Sequence, residues 1–138
     1  MISFNSENVR LPAIDYDRVR EWIGKVAASH GYVVGRLSYL FCDDPYILET
    51  NKKFLDHDYF TDIITFDSTR GERISGDMVI SLDTVASNAI AVGDSYDNEL
   101  LRVIIHGVLH LCGIDDKGPG EREIIEANEN AALSLWQA

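Results

Sequence analysis

The sequence predicts an α+β fold: a small, mostly antiparallel sheet of about four strands, covered by roughly four or five helices. Residues 32–42 alternate and are rich in β-branched and aromatic residues, as strands are, and residues 63–67 and 74–82 are also predicted to be strands. Between them, longer segments space their apolar residues three and four apart, which is typical of amphipathic helices. Since 46% of the 138 residues are hydrophobic, one core can form, and we expect a single domain over residues 1–138.

The first elements are a weak edge strand and a helix. Residues 2–4 and 9–11 are short apolar segments that could pair at an edge of the sheet. Asp15 or Asp17 then caps a helix with regularly spaced apolar residues, because a short carboxylate accepts the unpaired N–H groups of a first turn. Gly31 is suited to end this helix.

The middle of the chain predicts a helix, a loop and a hairpin. Aspartates directly before Pro45 mark a helix start, since proline suits the first turn. Residues 56–62 are polar and should form a loop. The strands at 63–67 and 74–82 are joined by a short polar link, so they should pair as an antiparallel hairpin.

Helices account for the rest of the chain. Asp83 is expected to cap a helix that ends at Gly93. Asp94 or Ser95 should begin the next helix, which is apolar nearly all round and therefore buried. Residues 121–136 predict a last amphipathic helix whose acidic face is expected to be solvated.

The buried helix carries two histidines one turn apart. His106 and His110 are four residues apart, so their imidazoles lie side by side. Gly113 is well placed to end the helix in a left-handed conformation and turn the chain back. Asp115 and Asp116 then follow within reach, and either one could complete a site. This pattern predicts a central metal-binding helix.

Two histidines and a carboxylate suggest a catalytic metal site. This donor set leaves the fourth position of tetrahedral zinc open to water, and zinc brings the pKa of that water near neutrality. The alternative is a pair of hydrogen-bonded core histidines, but the adjacent carboxylates favour a metal. Glu99 could accept an imidazole N–H, or it could be an exposed carboxylate in the first turn. Gly107 replaces the glutamate of the zinc-protease pattern H-E-x-x-H, which makes peptide hydrolysis unfavoured.

The sequence resembles a known family at this helix. H-G-V-L-H-L-C-G-I-D-D at residues 106–116 is similar to the H-G-x-L-H-L-x-G-Y-D-H signature of the YbeY family, bacterial metal-dependent endoribonucleases implicated in ribosomal RNA maturation. G-D-M-V-I-S at 76–81 resembles the family's G-D-I-V-I-S strand. Four more positions agree with its motif N-x-x-x-R-x-x-D-x-x-T-N-V-L-S-F: Asn51, Asp58, Thr61 and Phe66. The resemblance covers roughly residues 45–130.

The resemblance implies one Zn²⁺ ion held by His106, His110 and Asp116, with the metal-bound water as the attacking group and no protein base assigned. Asp116 aligns with the family's usual third histidine, and aspartate is a competent zinc ligand. Leu55 stands where the family has an arginine thought to assist with the phosphate. His57 is one candidate for that missing role, the alternative being a solvated loop histidine.

The net charge of -11 argues against indiscriminate RNA binding. It suits an enzyme that a particle or a partner protein guides to its substrate. The expected partners are ribosomal RNA and a ribosomal particle or assembly proteins, with no DNA and no membrane. Several basic residues could still gather near one cleft: Lys52, Lys53, Arg70, Arg73 and Arg102.

Cysteine usage and the chain start bear on the compartment. Cys42 and Cys112 form no C-x-x-C pair, so neither a disulfide framework nor a cysteine zinc site is indicated. The first residues lack the pattern of an export signal, and no apolar stretch is long enough to cross a bilayer. We expect a cytoplasmic protein.

Three functions remain in competition. The first is a zinc-dependent endoribonuclease that acts in maturation of small-subunit ribosomal RNA precursors and in ribosome quality control. The second is a zinc-stabilised ribosome-assembly factor with little catalysis, which the acidity and Leu55 favour. The third is a metal hydrolase of another substrate.

Overall fold

The computed structural model describes residues 1–55 and 61–138, except for the side chain of Leu55. Within these ranges the chain forms a four-stranded sheet and five helices, so the predicted α+β class is confirmed. The strands are β1 (Ile2–Ser6), β2 (Val33–Cys42), β3 (Ile63–Asp67) and β4 (Arg73–Ser81). The helices are α1 (Tyr16–Ser29), α2 (Asp44–Leu55), α3 (Leu82–Val92), α4 (Tyr96–Leu111) and α5 (Glu121–Gln137).

The sheet is mixed, with strand order β1-β2-β4-β3. β3 and β4 pair antiparallel, which confirms the predicted hairpin. The expectation of a mostly antiparallel sheet differs from the structure, because β1 with β2 and β2 with β4 are parallel pairs. A helix such as α1 carries the chain back along the sheet between two strands, so the second strand runs in the same direction as the first. Residues 9–11, which the structure describes, lie outside the strands, so their predicted pairing is wrong.

Helix caps explain most of the observed boundaries. The Arg18 N–H donates to Asp15 at the start of α1, and the Asn98 N–H donates to Ser95 at the start of α4. The cap of α3 is Ser81 rather than the predicted Asp83, since β4 passes directly into the helix. The Asp83 carboxylate instead accepts the N–H of Asp44 at 2.9 Å, which joins α3 to the start of α2.

Helix α4 packs directly against the sheet and lies at the centre of the molecule. Apart from its first residues and a stripe that includes both histidines, it is buried. The Tyr39 hydroxyl on β2 donates to the Ile104 carbonyl at 2.9 Å, which fixes α4 along the strand direction. Close packing also depends on Gly107: a Cβ added there would meet side-chain atoms of Ile63 and Met78 at 3.0 Å each.

The remaining helices close around this core. The Trp22 indole N–H on α1 donates to the Ala132 carbonyl at 2.7 Å, which ties α1 to α5. Cys42 and Cys112 are free and buried. Within the described ranges, the structure contains no helix long and apolar enough to cross a bilayer.

We expect Gly76→Ala to lower the free energy of unfolding by about 1–3 kcal/mol, which is the usual cost of adding atoms to a well-packed core. A Cβ at this position in β4 would lie 2.6 Å from the Phe66 carbonyl oxygen and 3.2 Å from a Leu111 methyl carbon, so β3 or α4 would have to move. The change is measured by urea unfolding.

Gly24→Ala is the matched control for this substitution. It lies inside α1 with nothing within 4 Å of the added Cβ. Alanine there should raise the free energy of unfolding by roughly 0.5–1 kcal/mol. Equal stability of the two variants would contradict the packing described for Gly76.

Candidate metal centre

The structure brings His106, His110 and Asp116 together beside the C-terminal half of α4. The two Nε2 atoms are 3.0 Å apart. The Asp116 carboxylate oxygens lie 3.5 Å from the Nε2 of His106 and 3.7 Å from that of His110. One ligand atom from each residue falls within 4.8 Å of the others, so the cluster could hold a metal ion.

A glycine turn places Asp116 opposite the histidines. Gly113 adopts a φ of 87°, and the Ile114 N–H donates back to the Leu109 carbonyl at 3.0 Å. The chain therefore reverses at the end of α4, as the sequence predicted for Gly113. Asp115 is exposed, and its carboxylate accepts the Asp116 N–H at 2.7 Å. Of the two aspartates, Asp116 is the one in the cluster.

Glu129 on α5 contacts the other side of the His106 ring. Its Oε2 lies 2.6 Å from the Nδ1 of His106, while Arg102 donates to its Oε1 at 3.0 Å. This residue was not among the predicted site residues, because the acidic face of the last helix was expected to be solvated. Glu129 is four residues from both Ile125 and Leu133, so it lies on the same buried face of α5. This spacing is the sequence feature that could have identified it as a buried residue.

Glu99 fits neither of its two predicted roles fully. It is only 7% exposed, so the exposed first-turn carboxylate is wrong. The acceptor facing the His106 Nδ1 is Glu129 instead. Glu99 lines a neighbouring cleft, and burial raises its pKa, with Asp62 and Glu129 adding to the effect and Arg102 opposing it.

The cluster lies where two clefts meet. One cleft, of about 590 Å³, is bordered by β3 and contains both histidines. The other, of about 880 Å³, lies between α3, α4 and α5. Both are lined by Thr61, Asp62, His106 and Asp116.

The predicted gathering of basic residues occurs only in part. Arg102 lines the larger cleft, together with Arg122, and Lys117 lines the smaller one. Among the described residues, the other predicted cations line neither cleft: Lys52, Lys53, Arg70 and Arg73.

His57 and Asp58 lie outside the described residues, and so does the side chain of Leu55. The candidate role of His57 therefore stays a prediction.

The pKa values of the two histidines are shifted in opposite directions. Burial lowers the pKa of His106, but the hydrogen bond and charge of Glu129 outweigh it, and its pKa is raised above the usual value. Burial and the charge of His106 lower the pKa of His110. Burial raises the pKa of Glu129, but hydrogen bonds from His106 and Arg102 prevail and lower it. Glu129 is therefore an anion beside the imidazole.

This donor set fits a zinc ion. When the His106 Nδ1–H donates to Glu129, the lone pair lies on Nε2, the atom that faces His110 and Asp116. A carboxylate that accepts the outer N–H of a ligating histidine is the usual arrangement around zinc. Two imidazole nitrogens and one carboxylate oxygen are also the donor types that zinc takes in catalytic sites.

The family model described as Endoribonuclease YbeY matches residues 2–137. The chain belongs to the YbeY family. The resemblance predicted for residues 45–130 is confirmed and extends over nearly the whole chain.

Individual relatives agree with this assignment. A protein named Endoribonuclease YbeY from Phocaeicola vulgatus is 60% identical over 135 residues, covering 98% of each chain. One of the same name from Bacteroides thetaiotaomicron is 56% identical, covering 97% of this chain and 98% of its own. The fold is similar to a solution structure from Thermotoga maritima, with a TM-score of 0.69 at 24% identity, covering 99% of this chain and 92% of that one.

In the metal-free protein, His106 should stabilise the fold more at about pH 6 than at about pH 8.5. Its folded-state pKa is raised above the ordinary 6.5. The added stability is therefore fully present below the unfolded pKa and is lost as pH rises through the folded one. Urea unfolding with a chelator present should show that the stability lost in His106→Gln shrinks as pH rises. A loss that grows with pH would contradict the ion pair with Glu129.

Proposed function

We propose that this chain is an endoribonuclease whose reaction uses one Zn²⁺ ion bound by His106, His110 and Asp116. The observation that carries the proposal is the convergence of three donor atoms at the meeting point of two clefts. The names of the relatives supply the reaction class, since those proteins are called endoribonucleases. We further propose that residues 1–138 act as one domain.

A bound zinc ion supplies a Lewis acid that activates water near neutral pH and stabilises charge on phosphoryl oxygens. The chain itself orients the donors. Glu129 accepts the Nδ1–H of His106 and so directs its Nε2 lone pair into the cluster. The lowered pKa of His110, caused by burial and by His106, keeps this imidazole neutral and able to bind a metal.

The proposed substrate is single-stranded RNA in a ribosomal precursor, with a role in small-subunit maturation and ribosome quality control. The two clefts would let an extended strand cross the metal centre. Duplex RNA is a poorer fit, because its two strands are held together in an A-form helix and neither is free to cross the clefts in an extended form. The net charge of -11 supports delivery by a ribosomal particle or an assembly protein rather than capture of free RNA. Two free, buried cysteines suit a reducing cytoplasm.

One observation favours a second candidate, a zinc-stabilised assembly factor with little catalysis. Carboxylates dominate the smaller cleft, where Asp62, Asp67, Asp115 and Asp116 face a single described cation, Lys117. Such a lining repels phosphate groups unless an ion or a partner offsets it.

We expect His110→Ala and Asp116→Ala to abolish stoichiometric zinc binding and to lower RNA cleavage by at least about 100-fold. Loss of a residue that only hydrogen-bonds to a metal ligand already lowers metal affinity or activity by about 10- to 100-fold, so loss of a ligand itself should cost more. Zinc content and cleavage are measured on the same preparation, and chelation of the wild type should give the same loss, reversed by added zinc.

Asp115→Asn is the matched control for the ligand variants. It removes one negative charge from the same turn but keeps an oxygen that can accept the Asp116 N–H. Zinc binding and cleavage should both persist. Should the wild type bind zinc, cut no RNA and sediment with ribosomal particles, the assembly-factor function would replace the nuclease.

A further inference from the structure

The buried carboxylate of Glu129 joins α4 to α5 beside the three-residue cluster. The side chain of Glu129 is 7% exposed, and each of its oxygens has a different partner. Oε2 faces the His106 Nδ1 at 2.6 Å, and Oε1 accepts from Arg102 at 3.0 Å. Arg102 also donates to the Asn130 side-chain oxygen at 2.8 Å, so its guanidinium is held at two points.

The position of one proton on His106 decides what the cluster can bind. A neutral imidazole carries a single N–H, on either Nδ1 or Nε2. With the proton on Nδ1, the Nε2 lone pair faces His110 and Asp116, at 3.0 and 3.5 Å. With the proton on Nε2, an N–H would point into the cluster and exclude a metal ion from that atom.

Glu129 selects between these two tautomers. An ionised carboxylate accepts hydrogen bonds and donates none, so it is compatible only with a proton on Nδ1. Arg102 keeps this carboxylate charged and in place, since an unpaired buried carboxylate would carry a large desolvation cost. Neither residue belongs to the donor set of the cluster.

We propose that Glu129 is a positioning residue that fixes His106 as the Nδ1–H tautomer and thereby sets the zinc affinity of the site, with Arg102 holding Glu129. This inference rests on the proposed function.

Glu129→Gln is the informative substitution because it keeps the shape of the side chain. The introduced amide has one carbonyl oxygen, and the charged Arg102 should take it. The amide N–H₂ then faces the His106 Nδ1, which must become an acceptor, so the ring proton moves to Nε2. We expect zinc affinity to fall by about 10- to 100-fold, measured by competition with a chromogenic chelator.

Two further variants separate positioning from general effects. Glu126→Gln removes the same charge from the same helix and the same cleft, but Glu126 is 53% exposed and pairs with Arg122. Its zinc affinity should stay within roughly twofold of wild type, as expected for an exposed pair. Adding Arg102→Met to Glu129→Gln frees the amide oxygen for His106 and should restore part of the lost affinity.

Nitrogen-15 NMR of His106 in the metal-free protein reads the tautomer directly. At a pH where the ring is neutral, Nδ1 should carry the proton in the wild type and Nε2 in Glu129→Gln. Wild-type zinc affinity in Glu129→Gln, or a tautomer that the substitution leaves unchanged, would overturn the inference. So would an equal loss of affinity in Glu126→Gln.

RNA cleavage by the wild type keeps the two proposals distinguishable. If the affinities and tautomers follow the expected pattern but no RNA is cut, the nuclease function fails and the positioning role stands. If RNA is cut while Glu129→Gln binds zinc like wild type, the positioning role alone fails.

Discussion

The close packing of α4 on the sheet is the constraint on which the site depends. Gly107 faces β3 and β4, and a Cβ there would already meet Ile63 and Met78 at 3.0 Å. Because successive residues of a helix are about 100° apart, burying position 107 against the sheet turns the neighbouring His106 sideways, toward the clefts. His110 follows one turn on, and both histidines remain partly accessible on a helix that is mostly buried. The position of the candidate metal centre thus follows from how the core packs.

The same packing explains why the site is rich in paired charges. His106 lies beside the buried face of α5, where an unpaired imidazole or carboxylate would be costly. Arg102, Glu129 and His106 satisfy one another across the two helices, and this pairing lowers the pKa of Glu129 despite its burial. A buried network of this kind adds little net stability, but it fixes geometry, since removal of any member leaves another unpaired.

Local features of the site could be predicted from the sequence, and contacts between distant segments could not. The histidine spacing, the turn at Gly113 and the nearby aspartates involve residues within one helix and its end, where helical geometry is known. Glu129 lies 23 residues from its imidazole partner, and nothing in a linear pattern reports which helix packs there. The parallel strand pairs are unpredictable for the same reason, because strand order depends on the path of the connecting helices.

The acidic surface of the protein is compatible with the proposed RNA cleavage when the charge of a bound metal ion is included. Around the cluster, the carboxylates of Asp62 and Asp116 line both clefts, and the smaller cleft has Lys117 as its one described cation. In the proposed reaction, a divalent ion held by His106, His110 and Asp116 would add two positive charges at the point where these clefts meet. The local field would then favour a phosphate at the metal and disfavour the rest of the RNA backbone elsewhere on the surface. In the proposed reaction, the acidic surface therefore repels RNA except where the ion and a guiding partner hold it. This would restrict cleavage to RNA that the partner delivers.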